Sequence, residues 1–203
     1  ITLFQTKTPS NPSQFVQIDK YNLFDKLRFG IVATRSRLVV QKNSFQNITA
    51  FKSASAGIYI YGQTTISVLN YEAKIGGTIP QANKFNNCYN GVFNQYATIL
   101  TVRNNKFNNN NTAITVAKNN RNKLVTIDRN KINETRVGVL CYDNIRLNAQ
   151  ITENTLLNTS PVGAYSSNTG IATSEVIFPA GSPTSYAKYN VYNNSITGYY
   201  NGV

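Results

Sequence analysis

The chain has 203 residues, of which 41% are hydrophobic and only 14% charged, with 20 Lys/Arg, 8 Asp/Glu, two Cys, no His and a net charge of +12. The lack of His removes imidazole metal sites, Ser-His-Asp triads and Cys-His nucleophile pairs. Two cysteines are too few for a disulfide scaffold, and no run of about 18 apolar residues is there to span a membrane as a helix.

Charge is concentrated early. Residues 1–82 and 83–150 carry net +6 and +7, whereas residues 151–203 carry −1. Such a field attracts polyanions, although scattered Lys and Arg also serve solubility alone. Asn, Thr, Ser, Gln and Tyr replace the missing charges, a polar but nearly uncharged surface that suits an extracellular wall.

Residues 1–27 read as a lead-in, a cap or a degenerate first coil. Pro9 and Pro12 lie in a Ser/Asn-rich stretch, and residues 19–29 gather Tyr21, Leu23, Phe24, Leu27 and Phe29. Residues 28–203 then carry a repeat: Asn-x-apolar, followed by a small residue and an aliphatic one. In chain order the units open at Asn43 with Phe45 and Gly57-Ile58, at Asn83 with Phe85 and Gly91-Val92, and at Asn105 with Phe107 and Ala113-Ile114. Next come Asn130 with Ile132 and Gly138-Val139, Asn154 with Leu156 and Gly170-Ile171, and Asn194 with Ile196 and Gly202-Val203. The offset from Asn to the small residue is eight in four units, and fourteen and sixteen in those opening at Asn43 and Asn154.

Upstream positions repeat as well. Val40, Val102, Ile127, Ile151 and Val191 lie three before the Asn, and Leu38, Leu100, Val125, Ala149 and Tyr189 five before it, with Pro80 and Thr78 as the exceptions. Alternation of period two marks half-buried strands. The chain is therefore expected to be all-β, a right-handed parallel β-helix of about 22–25 residues per coil, with its hand set by the crossover rule. The two spacings of 40 residues between successive Asn fit either one coil with a large excursion or two coils with one degenerate. Excursions are expected at 46–56, 62–80, 158–169 and 174–188.

In such a coil the apolar residue fills the core. Asn is expected to take a left-handed turn position and to hydrogen-bond from coil to coil, and Gly or Ala to permit a sharp bend. Cys88 and Cys141 fall at different phases of the repeat, so they are not expected to pair.

The Asn-x-Phe/Ile…Gly-Val/Ile units resemble the parallel β-helix repeat of the pectate-lyase-like superfamily over residues 28–203. That superfamily holds polysaccharide lyases, glycoside hydrolases, tailspikes and non-enzymatic bacterial surface proteins. The resemblance implies a secreted or cell-surface location and a glycan-facing role. It carries no catalytic residue onto this chain.

Three groups stand out as candidate ligand-binding residues. Lys84, Lys106 and Lys131 each follow a repeat Asn and are expected to stack along one outward edge, either as a groove for acidic glycan or as ordinary outward turn residues. Arg103 and Arg129 flank Asp128, with Glu153 one coil on; this group offers carboxylates near a base but reads better as a surface ion-pair ladder. Tyr59 and Phe93, with Tyr61, Tyr96 and Tyr142, are candidates for stacking on sugar rings.

No catalytic residue, metal site or cofactor is assigned. The leading reading is a non-catalytic extracellular module for adhesion or glycan contact. A polysaccharide-degrading enzyme or tailspike-like depolymerase, and a scaffold docked in a larger surface assembly, are the alternatives. Nucleic acid fits poorly, since no Arg/aromatic module motif is present. The sequence stops at Gly202-Val203, where a strand is due, so further coils or a protein partner are expected there.

Overall fold

Runs in which apolar and polar residues alternate become short strands, each in register with the equivalent run one coil away. A computed structural model of the protein describes residues 2–4, 15–50, 55–62, 71–96, 98–159, 168–175 and 187–203. The first coil consists of β1 (Thr2–Phe4), β2 (Val16–Ile18) and β3 (Leu23–Asp25), and the second of β4 (Phe29–Thr34), β5 (Leu38–Val40) and β6 (Ser44–Ile48). The third has β7 (Ala56–Tyr61), β8 (Glu72–Gly76) and β9 (Lys84–Cys88), and the fourth β10 (Asn90–Gln95), β11 (Ile99–Arg103) and β12 (Lys106–Asn108). The fifth follows with β13 (Thr112–Ala117), β14 (Asn120–Asp128) and β15 (Lys131–Asn133). The sixth has β16 (Val137–Asn144), β17 (Arg146–Thr152) and β18 (Thr155–Leu157), and the seventh β19 (Thr169–Glu175), β20 (Lys188–Tyr192) and β21 (Ser195–Thr197).

Every third strand joins the same sheet. The result is three seven-stranded sheets: sheet 1 runs β1-β4-β7-β10-β13-β16-β19, sheet 2 runs β2 to β20, and sheet 3 runs β3 to β21. All described pairings are parallel, as between β12 and β15 or β11 and β14. Residues 2–25 thus supply a strand to each sheet.

The core is a bundle of columns. Sheet 1 contributes Ile31, Ile58, Val92, Ile114, Val139 and Ile171, and sheet 2 contributes Val40, Ile75, Val102, Ile127 and Ile151, all at most 1% exposed. Sheet 3 contributes a ring stack of Phe24, Phe45, Phe85 and Phe107, with centroids 4.7–4.8 Å apart and planes within 8°. Ile132, Leu156 and Ile196 continue this column. A full turn per coil forces the rings to the strand spacing of about 4.8 Å, which is why they lie face to face instead of edge on.

The glycines solve the resulting crowding. None of Gly30, Gly57, Gly91, Gly138 and Gly170 has a left-handed backbone, so the expected role in a sharp bend is not theirs. A Cβ at Gly30 would sit 2.6 Å from the Phe45 ring and 2.6 Å from the Gly57 carbonyl oxygen. At Gly91 it would sit 2.6 Å from both the Phe107 ring and the Ala113 carbonyl oxygen. Gly makes room for the ring later in its own coil and for the carbonyl of the next coil. Ala113 occupies this position where the facing column switches from Phe107 to Ile132.

Between sheets 2 and 3 runs a ladder of seven amides: Asn22, Asn43, Asn83, Asn105, Asn130, Asn154 and Asn194. Each of the first six donates its backbone N–H to Oδ1 of the next at 2.9–3.1 Å. The Nδ2 groups of Asn43, Asn83, Asn105, Asn130, Asn154 and Asn194 donate to the carbonyls of Ile18, Val40, Ile75, Val102, Ile127 and Ile151. The expected left-handed backbone belongs to the residue before the amide: Tyr21, Lys42, Asn104, Arg129, Glu153 and Asn193 have φ of 52–59°. That residue makes the reversal, and the Asn after it is left free to aim inward.

The ladder also fixes the coil boundaries. Asn43 bonds Asn83, and Asn154 bonds Asn194, so each 40-residue spacing is a single coil with an insertion. The stretch 62–80 is not all excursion, because it contains β8. A 3-10 turn at Ile79–Gln81 is inserted between β8 and Asn83, so Ala73 and Ile75 take the places that Thr78 and Pro80 fail to fill. Likewise β6 continues to Ile48, β19 reaches Glu175 and β20 begins at Lys188, which narrows three of the expected excursions; their central residues, 51–54, 160–167 and 176–186, lie outside the described ones. At the far end Asn201 and Gly202 return onto β19, accepting bonds from the N–H groups of Gly170 and Ile171.

Candidate functional site

Alternation decides what sheet 3 shows to solvent. With Phe85, Phe107 and Ile132 turned inward, the residues on either side must turn out. Lys84, Lys106 and Lys131 stand opposite one another in register, and Asn86, Asn108 and Asn133 form a second outward row two residues along. The rows bound an open groove of about 460 Å³. The three lysines are exposed, and among the described residues none has an acidic partner within ion-pair distance. Like charges stacked at about 5 Å repel by about 1 kcal/mol each in water, a cost that a bound anion reverses.

Arg103 and Arg129 are differently placed. Arg103 faces Asp128 across β11 and β14, and its Nε donates to both carboxylate oxygens at 2.8 and 2.9 Å. Arg129 Nε donates to the same carboxylate at 3.0 Å and lies 3.4 Å from Glu153. Asp128 is only 3% exposed, so both guanidinium groups compensate a nearly buried charge. The pair Asp128 and Glu153 is bridged by Arg129, an arrangement that suits an ion-pair chain and not an acid with a base.

Tyr59 and Phe93 are neighbours on the outer face of sheet 1, both half-buried. Their centroids are 5.4 Å apart at 81°, and Tyr61 meets Tyr96 at 5.0 Å and 69°. The Tyr59 hydroxyl donates to Gln95 Oε1 at 2.7 Å. Burial, then the nearby Tyr61, Tyr96 and Tyr142, push its phenol above its ordinary value. The rings pack edge to face into a cluster, unlike the parallel stack inside the core.

The seven candidate residues therefore fall on three separate surfaces. The fold brings the lysines together, pairs both arginines to Asp128, and sets the aromatics on another sheet. Among the described residues no group of three Cys, Asp or Glu gathers as a metal would require, and no helix is long and apolar enough to cross a membrane.

A family profile described as right handed beta helix region matches residues 10–178. This chain belongs to that family. Searches among curated proteins and among solved structures gave no match.

Two features of the β-helix escaped the sequence reading. The amide row of Asn86, Asn108 and Asn133 was legible as a second period-two position, three residues after each ladder Asn, but the chain is so rich in Asn that it did not stand out. A further unit, Asn22 with Phe24 and Gly30-Ile31 at the same offset of eight, lay across the expected boundary at residue 27.

The β-helix keeps Cys88 and Cys141 apart, both free and buried. Burial pushes each thiol from 9.0 up to about 12. Neither is expected to react with a thiol reagent at neutral pH until urea unfolds the chain; rapid labelling of the native protein would contradict their placement. Raised folded values also set a sign. Their contribution to stability is complete below pH 9 and declines as pH climbs toward about 12, which urea titrations at rising pH would register.

Proposed function

We propose that this β-helix is a non-catalytic adhesion module of the cell surface or its surroundings, and that it holds acidic glycans on the outer face of sheet 3. The observation that carries the reading is the row of Lys84, Lys106 and Lys131, aligned by strand register beside a groove and without acidic partners among the described residues. The state of the acids also supports it. Asp128 is held by two arginines, Glu72 by Arg37 and Lys74, and Asp25 accepts a bond from Asn47.

The test is retention on immobilised acidic polysaccharides, scored in parallel for chain cleavage. Each exposed ionic contact is worth about 0.2–1 kcal/mol, so replacing Lys84, Lys106 and Lys131 together with Gln is expected to weaken retention about tenfold at physiological salt. All three side chains are exposed, so circular dichroism should be unchanged. Unaltered retention in the triple variant rejects the groove, and glycan shortening rejects a non-catalytic role.

A further inference from the structure

We propose that a pit on the outer face of sheet 2 binds the tetrahedral dianion of a phosphomonoester or of free phosphate. The pit arises where β8 ends. Gly76 closes that strand with φ of 84°, a left-handed backbone that favours glycine, and a Cβ there would run into the Arg103 carbonyl oxygen and the Asn105 amide. The outward row that carries Arg103 and Asp128 in the next two coils therefore has no side chain at Gly76. Lys74, Thr101 and Thr126, successive members of the neighbouring outward row, complete the lining. The volume is about 290 Å³, near the lower limit of about 300 Å³ for small-molecule sites, so the ligand is small.

The polar atoms left over in the pit are donors. Both rim carbonyls already accept a bond, Gly76 O from Gln41 Nε2 at 3.2 Å and Gly77 O from Asn104 Nδ2. Arg103 gives only its Nε to Asp128, so both of its Nη groups are without a partner among the described residues. Lys74 Nζ meets Glu72 Oε1 at 3.0 Å, one contact for an ammonium with three hydrogens. The Thr101 and Thr126 hydroxyls bond no other described residue. A flat carboxylate would be satisfied by the Arg103 fork alone. A tetrahedral ion has further oxygens for the ammonium and for the hydroxyls on the floor. The local charge also favours an anion. Arg37, Lys74, Arg103 and Arg129 are four cations joined in ion pairs to three carboxylates, Glu72, Asp128 and Glu153, which leaves one positive charge in excess. The pit lies on a different sheet from the lysine row and does not depend on the adhesion reading.

Calorimetric titration of the full chain with inorganic phosphate and, separately, with glycerol 3-phosphate tests the site. Saturable binding of one ion per chain is expected; the tighter of the two ligands assigns the occupant as ester or as free phosphate. Thr101→Val, which removes one hydroxyl and keeps a β-branched side chain, should weaken binding about fivefold, and Lys74→Gln by a similar factor. Arg103→Lys keeps a cation on Asp128 but loses the fork, and should weaken binding further. Replacing Lys84, Lys106 and Lys131 with Gln should leave phosphate affinity unchanged, which separates this site from the sheet-3 groove. Affinity untouched by both Thr101→Val and Lys74→Gln overturns the proposal. So does acetate binding as tightly as phosphate, loss of phosphate binding in the sheet-3 triple variant, or the absence of saturable binding.

Discussion

Asn105→Ala is expected to lower the unfolding free energy by about 3–4 kcal/mol, although it removes no apolar surface of note. Asn105 is 1% exposed. Its Oδ1 accepts from both the backbone N–H and the Nδ2 of Asn83, while its Nδ2 donates to the carbonyls of Ile75 and Arg103. Alanine leaves the Asn83 N–H facing a dry interior without its acceptor, at a cost of about 1–3 kcal/mol for one such group, and the two carbonyls lose a donor besides. Asn105→Asp offers no repair, since a carboxylate accepts from Asn83 but cannot donate to Ile75, and burying its charge adds a penalty. Asn194→Ala, at a half-exposed rung, should cost much less. Urea denaturation of the three variants measures this; a loss below about 1 kcal/mol for Asn105→Ala would mean that water or backbone rearrangement replaces the ladder.

A single methyl group at Gly91 is expected to destabilise the fold by about 3 kcal/mol, the upper end for overpacking. The added Cβ falls 2.6 Å from the Phe107 ring and 2.6 Å from the Ala113 carbonyl oxygen, both of which are fixed by their own coils. The ring cannot tilt away, because it is stacked on Phe85 at 4.7 Å. The substitution Phe107→Ile, which copies the side chain facing Ala113, should alone also destabilise, through loss of the ring stack. Combined with Gly91→Ala it should cost less than the two separate losses together, since the ring that meets the methyl group is gone. Strict additivity in thermal or urea unfolding would sever the proposed link between small residue and facing ring. Ala113 before Ile132 suggests that the chain already uses this compensation once.

The coil itself was legible in the sequence because its causes are local and repeat. Alternation at Val102, Ile127 and Ile151 marks strands, and Asn83, Asn105 and Asn130 mark one corner of successive turns, whatever else the chain does. From these the parallel architecture and the lysine alignment both follow, as does the separation of Cys88 from Cys141. Local pattern was weaker wherever insertion length mattered. Nothing near Thr78 or Pro80 announces that a 3-10 turn displaces the strand to Ala73 and Ile75, because the displaced strand is recognised only by the neighbour it pairs with.

Roles that depend on residues distant in sequence had to wait for the tertiary structure. Left-handed backbone and ladder bonding, expected of one Asn, are divided between adjacent residues such as Asn104 and Asn105, since a side chain that must reach inward cannot also make the reversal. Glycine is required by a ring some fifteen residues or more further along, as Gly91 is by Phe107, and no bend explains it. Composition and periodicity therefore determined that the chain winds and which side chains face out. Stacking across coils determined what each outward group meets: acids beside Arg103 and Arg129, other rings beside Tyr59 and Phe93, and open solvent beside Lys84, Lys106 and Lys131. The physical reason is that winding is dictated by residues close in sequence, whereas a partner is dictated by distance in space, which each insertion resets.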